Sequence, residues 1–346
     1  MAIEFSERVR RIPVYPAADA YAVPDDVAMM ASNESPDPPL PAVVAAVSKV
    51  LGTVNRYPDP SNSRLRAALS NRYGVPAARI AIGNGSVEIL MAAGEALLEP
   101  GAEFVYAWPS FSVYPHLAAA SGAREVTVAT RLVIVCNPNN PTSTALPLDE
   151  IAAFIDGVPR HVAVILDEAY CEFNTLDDPD ASLDLLKRHP NLVLLRTFSK
   201  IYGLCGLRVG FGLCGSEDFV RAVNQVRQPF FCNAAAQAAA IEALRHQDAV
   251  VERVERAVVA RVEIEEELHS MGISCADSQA NFAWFDLPVA EGEEAADVEA
   301  GVVRGLAERG VIVRAGGALG KPGALRVTYG TPEQNRRFIA ALRELV

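Results

Sequence analysis

Short apolar segments alternate with helix-like segments over the middle of this sequence, and this alternation constrains the fold more than any other feature. Seven segments of four to eight residues read as strands: 80–83, 103–108, 124–128, 131–137, 162–169, 192–198 and 207–213. Strands that are apolar along nearly their whole length are typical of parallel sheets, because helices cover both faces of such a sheet. The sequence therefore predicts an α/β fold with a mostly parallel seven-stranded sheet between helices.

The flanking regions predict a smaller α/β domain beside this sheet. Residues 1–40 are rich in proline and read as an irregular arm, which ends where Pro41 opens a helix. Residues 41–270 are predicted to form the large domain, including a long connecting helix. Residues 271–346 contain a second strand–helix unit and are predicted to form the small domain, against which the arm packs.

The junction between the third and fourth predicted strands does not fit a parallel sheet. Only Ala129 and Thr130 separate segment 124–128 from segment 131–137, whereas a parallel crossover needs about a dozen residues or more. Two interpretations are open: an antiparallel hairpin, or a segment that this chain lacks between Thr130 and Arg131. We favour the missing segment.

Composition and charge narrow the possible partners. The 346 residues are 50% hydrophobic and carry a net charge of −12, which is unlike a nucleic-acid-binding protein. No apolar run approaches membrane-spanning length, and the N-terminal residues lack the apolar core of a signal peptide. The six cysteines are scattered without a CxxC pair, which is typical of reduced thiols rather than of a metal site. We therefore expect a cytoplasmic protein that binds no metal, nucleic acid or membrane.

One of the four lysines stands out by its position. Lys49, Lys187 and Lys321 lie in a helix, a charged turn and a glycine–proline loop, whereas Lys200 closely follows the apolar segment 192–198. An amine at the end of a buried strand loses hydration, which lowers its pKa and favours the neutral form that attacks carbonyl groups. Lys200 is therefore predicted to form an imine.

The residues beside Lys200 suggest its partner. Ser199 supplies a hydroxyl and Arg208 a guanidinium, and both groups suit a phosphate. An imine-forming lysine combined with phosphate-binding side chains is what pyridoxal phosphate (PLP) requires. The sequence therefore favours PLP as the cofactor.

Polar residues also follow two other predicted strands, at the edge where ligands bind in open α/β sheets. Asp167 ends a buried strand, where a carboxylate needs a partner such as the pyridinium nitrogen of PLP. Tyr170 follows three residues later and is placed to reach the phenolic oxygen of the ring. Asn140 lies between prolines in CNPNNPT (136–142), with its amide placed to donate to an oxygen; read alone, this motif also fits an ordinary turn.

Two weaker motifs lie earlier in the chain. GNGS (83–86) follows a strand and opens a helix, so the backbone N–H groups of Gly85 and Ser86 can hold a phosphate. WPSF (108–111) places Phe111 where it can stack on a flat ring, although a core aromatic residue is the more common explanation. Both motifs become informative only beside the lysine segment.

Asn140, Asp167, Tyr170, Lys200 and Arg208, in this order and spacing, resemble the site of the fold-type I PLP-dependent aminotransferases. The resemblance spans nearly the whole chain. The motifs NRYPDP, CNPNNPT, LDEAY, RTFSKIYGLCGLRVG and LRVTYGTPEQN are similar to those of the histidinol-phosphate aminotransferase subfamily. That subfamily includes the actinobacterial aromatic (phenylalanine) aminotransferases.

This resemblance implies a role for each residue of the cofactor site. Lys200 would hold PLP as an internal aldimine and move the proton in a ping-pong transamination. Asp167 would pair with the ring nitrogen, and Asn140 and Tyr170 would hold the ring oxygen. Phe111 would stack on the ring. The residues implied to bind the cofactor phosphate are Gly85, Ser86, Thr197, Ser199 and Arg208.

The resemblance also implies a homodimer and a substrate site. Tyr57, in NRYPDP, matches a tyrosine that reaches the cofactor phosphate from the neighbouring subunit. Arg326 and Arg314 match arginines that bind the carboxylate or phosphate of the substrate, and Tyr15 matches a substrate-contacting tyrosine of the arm. Judged from the residues alone, Arg314 and Arg326 also fit ordinary surface ion pairs.

Three departures from the family pattern bear on the substrate and on the fold. Val87 stands where many members carry aspartate, and Ser143 replaces the usual glycine of NPTG. Both departures also resemble the aromatic aminotransferase branch. The family usually has a strand-to-helix segment between Thr130 and Arg131, and its absence here agrees with the crossover problem noted above.

The expected reaction is transamination between glutamate or 2-oxoglutarate and an amine that carries a flat ring. Our first expectation is histidinol-phosphate aminotransferase activity, which converts L-histidinol phosphate and 2-oxoglutarate to imidazole acetol phosphate and glutamate. An aromatic amino acid (phenylalanine) aminotransferase is the close alternative. A PLP-dependent decarboxylase of a phosphorylated amino acid and a non-catalytic PLP-binding sensor are less favoured.

Overall fold

The computed structural model describes residues 12, 24, 26–121 and 130–346. The first seven strands in chain order are β1 (Ala28–Met29), β2 (Ile80–Gly83), β3 (Glu103–Tyr106), β4 (Thr130–Cys136), β5 (Ala163–Asp167), β6 (Leu192–Thr197) and β7 (Gly210–Cys214). Within the described residues, β2 to β7 form a six-stranded sheet in the spatial order β2-β7-β6-β5-β4-β3. Only β7 runs against its neighbours in this sheet, so the prediction of a mostly parallel sheet is confirmed.

One of the seven predicted strands, 124–128, lies outside the described residues. Strand β4, which follows it in the chain, pairs in parallel with β3 on one edge and with β5 on the other. Both edges of β4 are therefore occupied by strands of the described chain. The choice between a hairpin and a missing segment concerns residues outside the described ranges, and the missing segment stays a prediction.

Helices cover both faces of the sheet. Those of the first 270 residues are α1 (Pro41–Leu51), α2 (Ser63–Tyr73), α3 (Ser86–Leu97), α4 (Val113–Ser121), α5 (Leu148–Gly157), α6 (Glu217–Val226), α7 (Ala234–Ala243) and α8 (Gln247–Ser270). Alternate residues of β5 join different hydrophobic clusters, Leu166 on one face and Ile165 on the other. A strand with two buried faces can be apolar throughout, which is why the strand pattern was readable from the sequence.

Two element boundaries differ from the prediction. The segment 207–213 does not begin as a strand, because Cys205–Leu207 forms a 3-10 turn and Arg208 adopts a left-handed backbone with φ of 60°. Strand β7 starts only at Gly210, which leaves Arg208 in the connection before it. The long helical region 233–270 is two helices, α7 and α8, separated at residues 244–246.

The C-terminal part contains β8 (Phe282–Asp286), α9 (Ala295–Glu308), β9 (Val311–Ile312), β10 (Arg314–Ala315), β11 (Ala324–Thr328) and α10 (Pro332–Arg343). Strands β10, β11 and β8 form an antiparallel sheet in that order, and β1 of the arm pairs with β9. The end of α8 contributes Ile264 and Leu268 to the core under this sheet. The domain limits at residues 40 and 270 therefore stay a prediction, since one helix serves both parts. Within the described ranges, no helix has the length and apolar character needed to cross a membrane.

Candidate active site

A cavity of about 460 Å³ opens where the carboxyl ends of β4, β5 and β6 meet the arm and the C-terminal sheet. This volume lies within the usual range for a small-molecule site. The structure brings eleven predicted site residues to its wall: Ser86, Phe111, Asn140, Asp167, Tyr170, Thr197, Ser199, Lys200, Arg208, Arg314 and Arg326. Residues that are up to 240 positions apart in the sequence, Ser86 and Arg326, thus line one space.

Lys200 lies just beyond the end of β6. Its Nζ donates hydrogen bonds to two backbone carbonyls of the arm, at 2.9 Å to Asn33 and 3.1 Å to Ser32. Burial, assisted by the positive charge of Arg326, lowers the pKa of Lys200 from 10.5 to about 8. A substantial fraction of the amine is therefore neutral near physiological pH and able to attack a carbonyl carbon.

Asp167 ends β5 with its side chain at the cavity wall and only 3% of the residue exposed. Its Oδ2 accepts a hydrogen bond of 2.9 Å from the Tyr114 hydroxyl, and its Oδ1 accepts one of 3.3 Å from the Ala169 amide. In the described part of the chain, Asp167 forms no ion pair, and burial raises the pKa of its carboxyl to about 6. A buried carboxylate of this kind fits a protonated ring nitrogen as its partner.

The neighbouring Glu168 shows why only one of the two carboxylates serves this cavity. Successive side chains of a strand point to opposite faces. Glu168 turns to the other face of the sheet, where its Oε2 accepts a hydrogen bond of 2.8 Å from Arg196 Nε. Of the two acidic residues of LDEAY, Glu168 therefore forms a structural ion pair and Asp167 lines the cavity.

Asn140 and Tyr170 present polar groups at the cavity wall. The Oδ1 atom of Asn140 accepts a hydrogen bond of 2.7 Å from Arg326 Nη1, which leaves the amide nitrogen to donate elsewhere. The hydroxyl oxygen of Tyr170 accepts a hydrogen bond of 3.0 Å from Asn33 Nδ2. Both residues can therefore donate a hydrogen bond to a ring oxygen between them.

The start of α3 lies against the guanidinium of Arg208. Gly85 precedes α3 with φ of 78°, and a side chain at this position would collide with the guanidinium of Arg208. Arg208 Nη1 donates to the Cys205 carbonyl at 2.7 Å and to Ser199 Oγ at 3.5 Å. A helix N-terminus with a guanidinium packed against it suits a phosphate dianion.

Arg314 and Arg326 face each other on neighbouring strands. They are directly paired in the register of β10 and β11, and both line the cavity. Arg326 is 6% exposed and donates to neutral acceptors, namely Asn140 Oδ1 at 2.7 Å and the Ala31 carbonyl at 2.5 Å. This burial does not fit the surface ion pair considered above for Arg326. The guanidinium of Arg326 places positive charge beside Lys200.

Two predicted site residues that the structure describes are not on the cavity wall, and a third lies outside the described residues. Tyr57 is 81% exposed and stacks on Phe230, with ring centroids 4.5 Å apart. Tyr15 lies outside the described residues. Gly85 stands directly behind the wall, at the close approach to Arg208 described above.

Two contributors to the site were missed in the sequence. Asn33 lies in an irregular proline-rich stretch, and its contacts with Lys200 and Tyr170 have no local sequence signal. Tyr114, the second residue of α4, has its side chain fully buried. Phe111 lies before this helix, so the spacing of the two aromatic residues gave no helix-face signal in the sequence.

Comparison with known proteins identifies the family. The model of the aminotransferase class I and II family matches residues 25–131 and 123–342, two segments that overlap at residues 123–131. The aromatic amino acid aminotransferase of Thermobifida fusca (strain YX) is 41% identical, over 96% of this chain and 94% of that protein. The histidinol-phosphate aminotransferase of Geobacillus sp. (strain WCH70) is 39% identical, over 93% of this chain and 90% of that protein.

A solved structure supports the same assignment. The histidinol-phosphate aminotransferase from Sinorhizobium meliloti, in complex with pyridoxal-5'-phosphate, superimposes with a TM-score of 0.83 at 29% identity. The match covers 92% of this chain and 90% of that chain. The predicted fold-type I architecture is thereby confirmed, and the cavity has a buried carboxylate, an activated lysine and an anion site that fit PLP. The chain belongs to the class I and II aminotransferases and is a PLP-dependent aminotransferase.

Proposed function

We propose that the cavity residues divide the work of transamination as follows. Bound PLP supplies an electron-withdrawing ring that makes the carbon beside the substrate's amino group acidic. Lys200 Nζ would hold the cofactor and would carry the proton that leaves the substrate carbon. Asp167 would keep the ring nitrogen protonated, and Asn140 and Tyr170 would hold the ring oxygen.

The remaining cofactor contacts follow from position. Phe111 covers one face of the ring, and its own ring is held edge-on against Tyr114 at a centroid distance of 5.7 Å. Ser86 and Arg208 hold the cofactor phosphate, together with Gly85, Thr197 and Ser199. Fixed donors of this kind orient the ring without reorganisation during the reaction.

Histidinol phosphate is the proposed amino donor, with 2-oxoglutarate as acceptor. The observation that carries this proposal is the facing pair Arg314 and Arg326, which places two guanidinium groups on one side of the cavity. A phosphate monoester carries up to two negative charges and accepts several hydrogen bonds, so it uses both arginines. Relatives named histidinol-phosphate aminotransferase support the same donor.

Aromatic amino acids are the second candidate. Val87, Phe111 and Leu319 line the same cavity and offer apolar surface for a phenyl ring. With such a donor, one arginine would bind the α-carboxylate. Relatives named aromatic amino acid aminotransferase support this candidate.

A homodimer is also part of the proposal. Tyr57 and Phe230 form an exposed aromatic pair outside the cavity of their own chain, and tyrosine is enriched at protein interfaces. We place a second copy of the chain against this pair, so that Tyr57 reaches the cofactor phosphate of the partner. Tyr15 is assigned to the substrate side by its resemblance alone.

Half-reaction titrations test the substrate. PLP-loaded protein is titrated with histidinol phosphate and separately with phenylalanine, and the loss of the cofactor's visible band is followed. The proposal predicts conversion at lower concentrations of histidinol phosphate, and Arg314→Gln should weaken that donor much more than phenylalanine. The reverse preference would establish the aromatic candidate. Release of carbon dioxide without any need for 2-oxoglutarate would indicate the decarboxylase alternative.

Mixed dimers test the shared site. Lys200→Ala protein and Tyr57→Ala protein should each be nearly inactive, but a mixture refolded together should regain activity. In the hybrid, the site with intact Lys200 receives an intact Tyr57 from its partner. A monomer in sedimentation, or a mixture that stays inactive, would contradict the shared site.

A further inference from the structure

Three consecutive carbonyls of the arm hold two of the cationic groups of the cavity, Lys200 and Arg326. Arg326 Nη2 donates to the Ala31 carbonyl at 2.5 Å, and Lys200 Nζ donates to the carbonyls of Ser32 and Asn33 at 3.1 and 2.9 Å. The arm thus positions both the nucleophile and an anion-binding arginine. Asn33, the last of these three arm residues, makes the most contacts.

The side chain of Asn33 has both of its polar atoms engaged. Its Oδ1 accepts a hydrogen bond of 3.1 Å from Thr328 Oγ1, and its Nδ2 donates one of 3.0 Å to the Tyr170 hydroxyl oxygen. Its backbone N–H also donates to Thr328 Oγ1, at 2.9 Å. A threonine hydroxyl has a single proton, so accepting from the Asn33 backbone directs that proton toward Oδ1. The orientation of the amide, with Nδ2 toward Tyr170, is therefore fixed.

This orientation decides what Tyr170 can donate. Tyr170 has one O–H proton, and its oxygen already accepts from Asn33. The proton must then point away from Asn33, which makes it available to a ring oxygen in the cavity. Burial raises the pKa of Tyr170, and the hydrogen bond from Asn33 opposes that rise.

The backbone of Asn33 adopts an uncommon, left-handed conformation. Asn33 has φ of 53° and is 1% exposed. Asparagine tolerates the left-handed region better than most residues, but such a conformation persists only when surrounding contacts hold it. Those contacts come from the C-terminal part: Thr328 on β11, and Asn281, whose Nδ2 donates to the Asn33 carbonyl at 3.3 Å.

We propose that Asn33 is a positioning residue whose side chain directs the Tyr170 proton toward the cofactor ring. Thr328 lies two residues after Arg326 on β11. Asn33 therefore also ties the substrate-binding strand to the two groups that act on the cofactor. The inference rests on the roles of Lys200 and Tyr170 proposed above.

The pH dependence of the bound cofactor's visible absorption reports on this arrangement. When Tyr170 donates less well, negative charge on the ring oxygen is less stabilised. The proton on the nitrogen that joins Lys200 to the cofactor is then held more tightly. The pH midpoint of the absorption change then rises. The charged and titratable groups that face Lys200 and Tyr170 are Glu34, Cys136, Asp167, Cys205, Arg208 and Arg326, and the variants below leave all of them in place.

Two variants of Asn33 separate its side chain from its backbone. Asn33→Gly permits the left-handed backbone and keeps the carbonyl that accepts from Lys200, but it removes the donor to Tyr170. We expect the pH midpoint to rise by about 0.7 unit, which corresponds to about 1 kcal/mol, the usual net value of one hydrogen bond. Asn33→Asp keeps the shape but replaces the donor by an acceptor that attracts the Tyr170 proton, so its midpoint should rise further.

A matched control is Asn62→Gly. Asn62 is also buried and left-handed, with φ of 52°, but it does not line the cavity. This variant should lose a similar amount of stability while its pH midpoint stays at the wild-type value. In steady-state kinetics, Asn33→Gly should lower kcat by about three- to tenfold with KM nearly unchanged, because Asn33 is not assigned a substrate contact.

Two results would overturn the positioning role of Asn33. A folded Asn33→Gly protein with the wild-type pH midpoint would overturn the positioning role. A raised KM with unchanged kcat would overturn it as well, and would make Asn33 a substrate contact. Lys200→Ala serves as the separate check: if that variant retains the visible cofactor band, the proposed role of Lys200 itself is wrong, whatever Asn33→Gly shows.

Discussion

The Tyr114 hydroxyl donates a hydrogen bond of 2.9 Å to Asp167 Oδ2 in a fully buried setting. The same tyrosine ring lies edge-on against Phe111, at a centroid distance of 5.7 Å. One side chain therefore supports both the carboxylate assigned to the ring nitrogen and the aromatic ring assigned to the ring face. Tyr114 therefore couples the contact that Asp167 makes with the edge of the flat cofactor to the contact that Phe111 makes with its face.

Tyr114→Phe should weaken cofactor retention by about tenfold, since a hydrogen bond to a charged group contributes about 1.5 kcal/mol or more. The variant keeps the edge-on contact with Phe111 but leaves Asp167 less stabilised as an anion. Equilibrium dialysis of PLP measures the effect. Tyr73→Phe, which removes the hydroxyl of another buried tyrosine, is the control and should bind PLP as the wild type does. Equal binding by both variants would show that the Tyr114 hydroxyl has no role at the ring.

Gly85→Ala should also reduce PLP affinity, by about tenfold or more, because the added methyl group meets the Arg208 guanidinium in a left-handed backbone. The control is Gly74→Ala, which has a similar φ of 69° with open space around it. That variant should lose about 1 kcal/mol of stability without any change in cofactor binding. Retained PLP affinity in Gly85→Ala would remove the start of α3 from the phosphate site.

Arg326→Ala should raise KM for anionic substrates by about tenfold or more, because a paired, charge-assisted contact is lost. Arg326→Lys keeps the charge without the planar fork, and its KM should lie between those of Arg326→Ala and the wild type. The visible band of the bound cofactor should persist in both variants. If cofactor and substrate binding fell equally, Arg326 would belong to the cofactor site instead.

Asp167 should make stability depend on pH in the cofactor-free protein. Burial raises the pKa of Asp167 from 3.8 to about 6. Between these values the folded chain keeps a proton that the unfolded chain releases, so the contribution of this group to the free energy of unfolding falls as pH rises. Relative to Asp167→Asn, the wild type should lose roughly 3 kcal/mol between about pH 4 and pH 6.

Urea unfolding of both cofactor-free proteins across this range gives the difference directly. Bound PLP should abolish the loss, because a ring cation beside the carboxylate lowers its pKa. A difference between wild type and variant that does not change with pH would show that Asp167 is not desolvated as described.

The central sheet was readable from the sequence because its strands are buried on both faces. Predicted and observed bounds agree for β2, and they differ by one to three residues for the other described strands of that sheet. The start of β7 was missed because a turn at Cys205–Leu207 and the left-handed Arg208 interrupt an otherwise apolar run. Local hydrophobicity does not report such a turn.

The site was predictable where its residues carry their own chemistry at strand ends, as Lys200 and Asp167 do. Asn33 was not, because its partners Tyr170, Lys200 and Thr328 lie 137, 167 and 295 residues away along the chain. Only the folded chain shows that a residue of an irregular arm closes the cavity. Tyr114 was hidden for a different reason, since a buried aromatic residue in a helix usually belongs to the core.

The most direct test of the account is to locate the covalent bond between protein and cofactor. PLP-loaded protein is reduced with borohydride and digested, and the modified peptide is identified by mass spectrometry. The account predicts pyridoxyl phosphate on Lys200, with formation of the bond in cofactor-free protein half-maximal near pH 8, where the pKa of Lys200 lies. Modification of Lys49, Lys187 or Lys321 instead, or no modification at all, would contradict it.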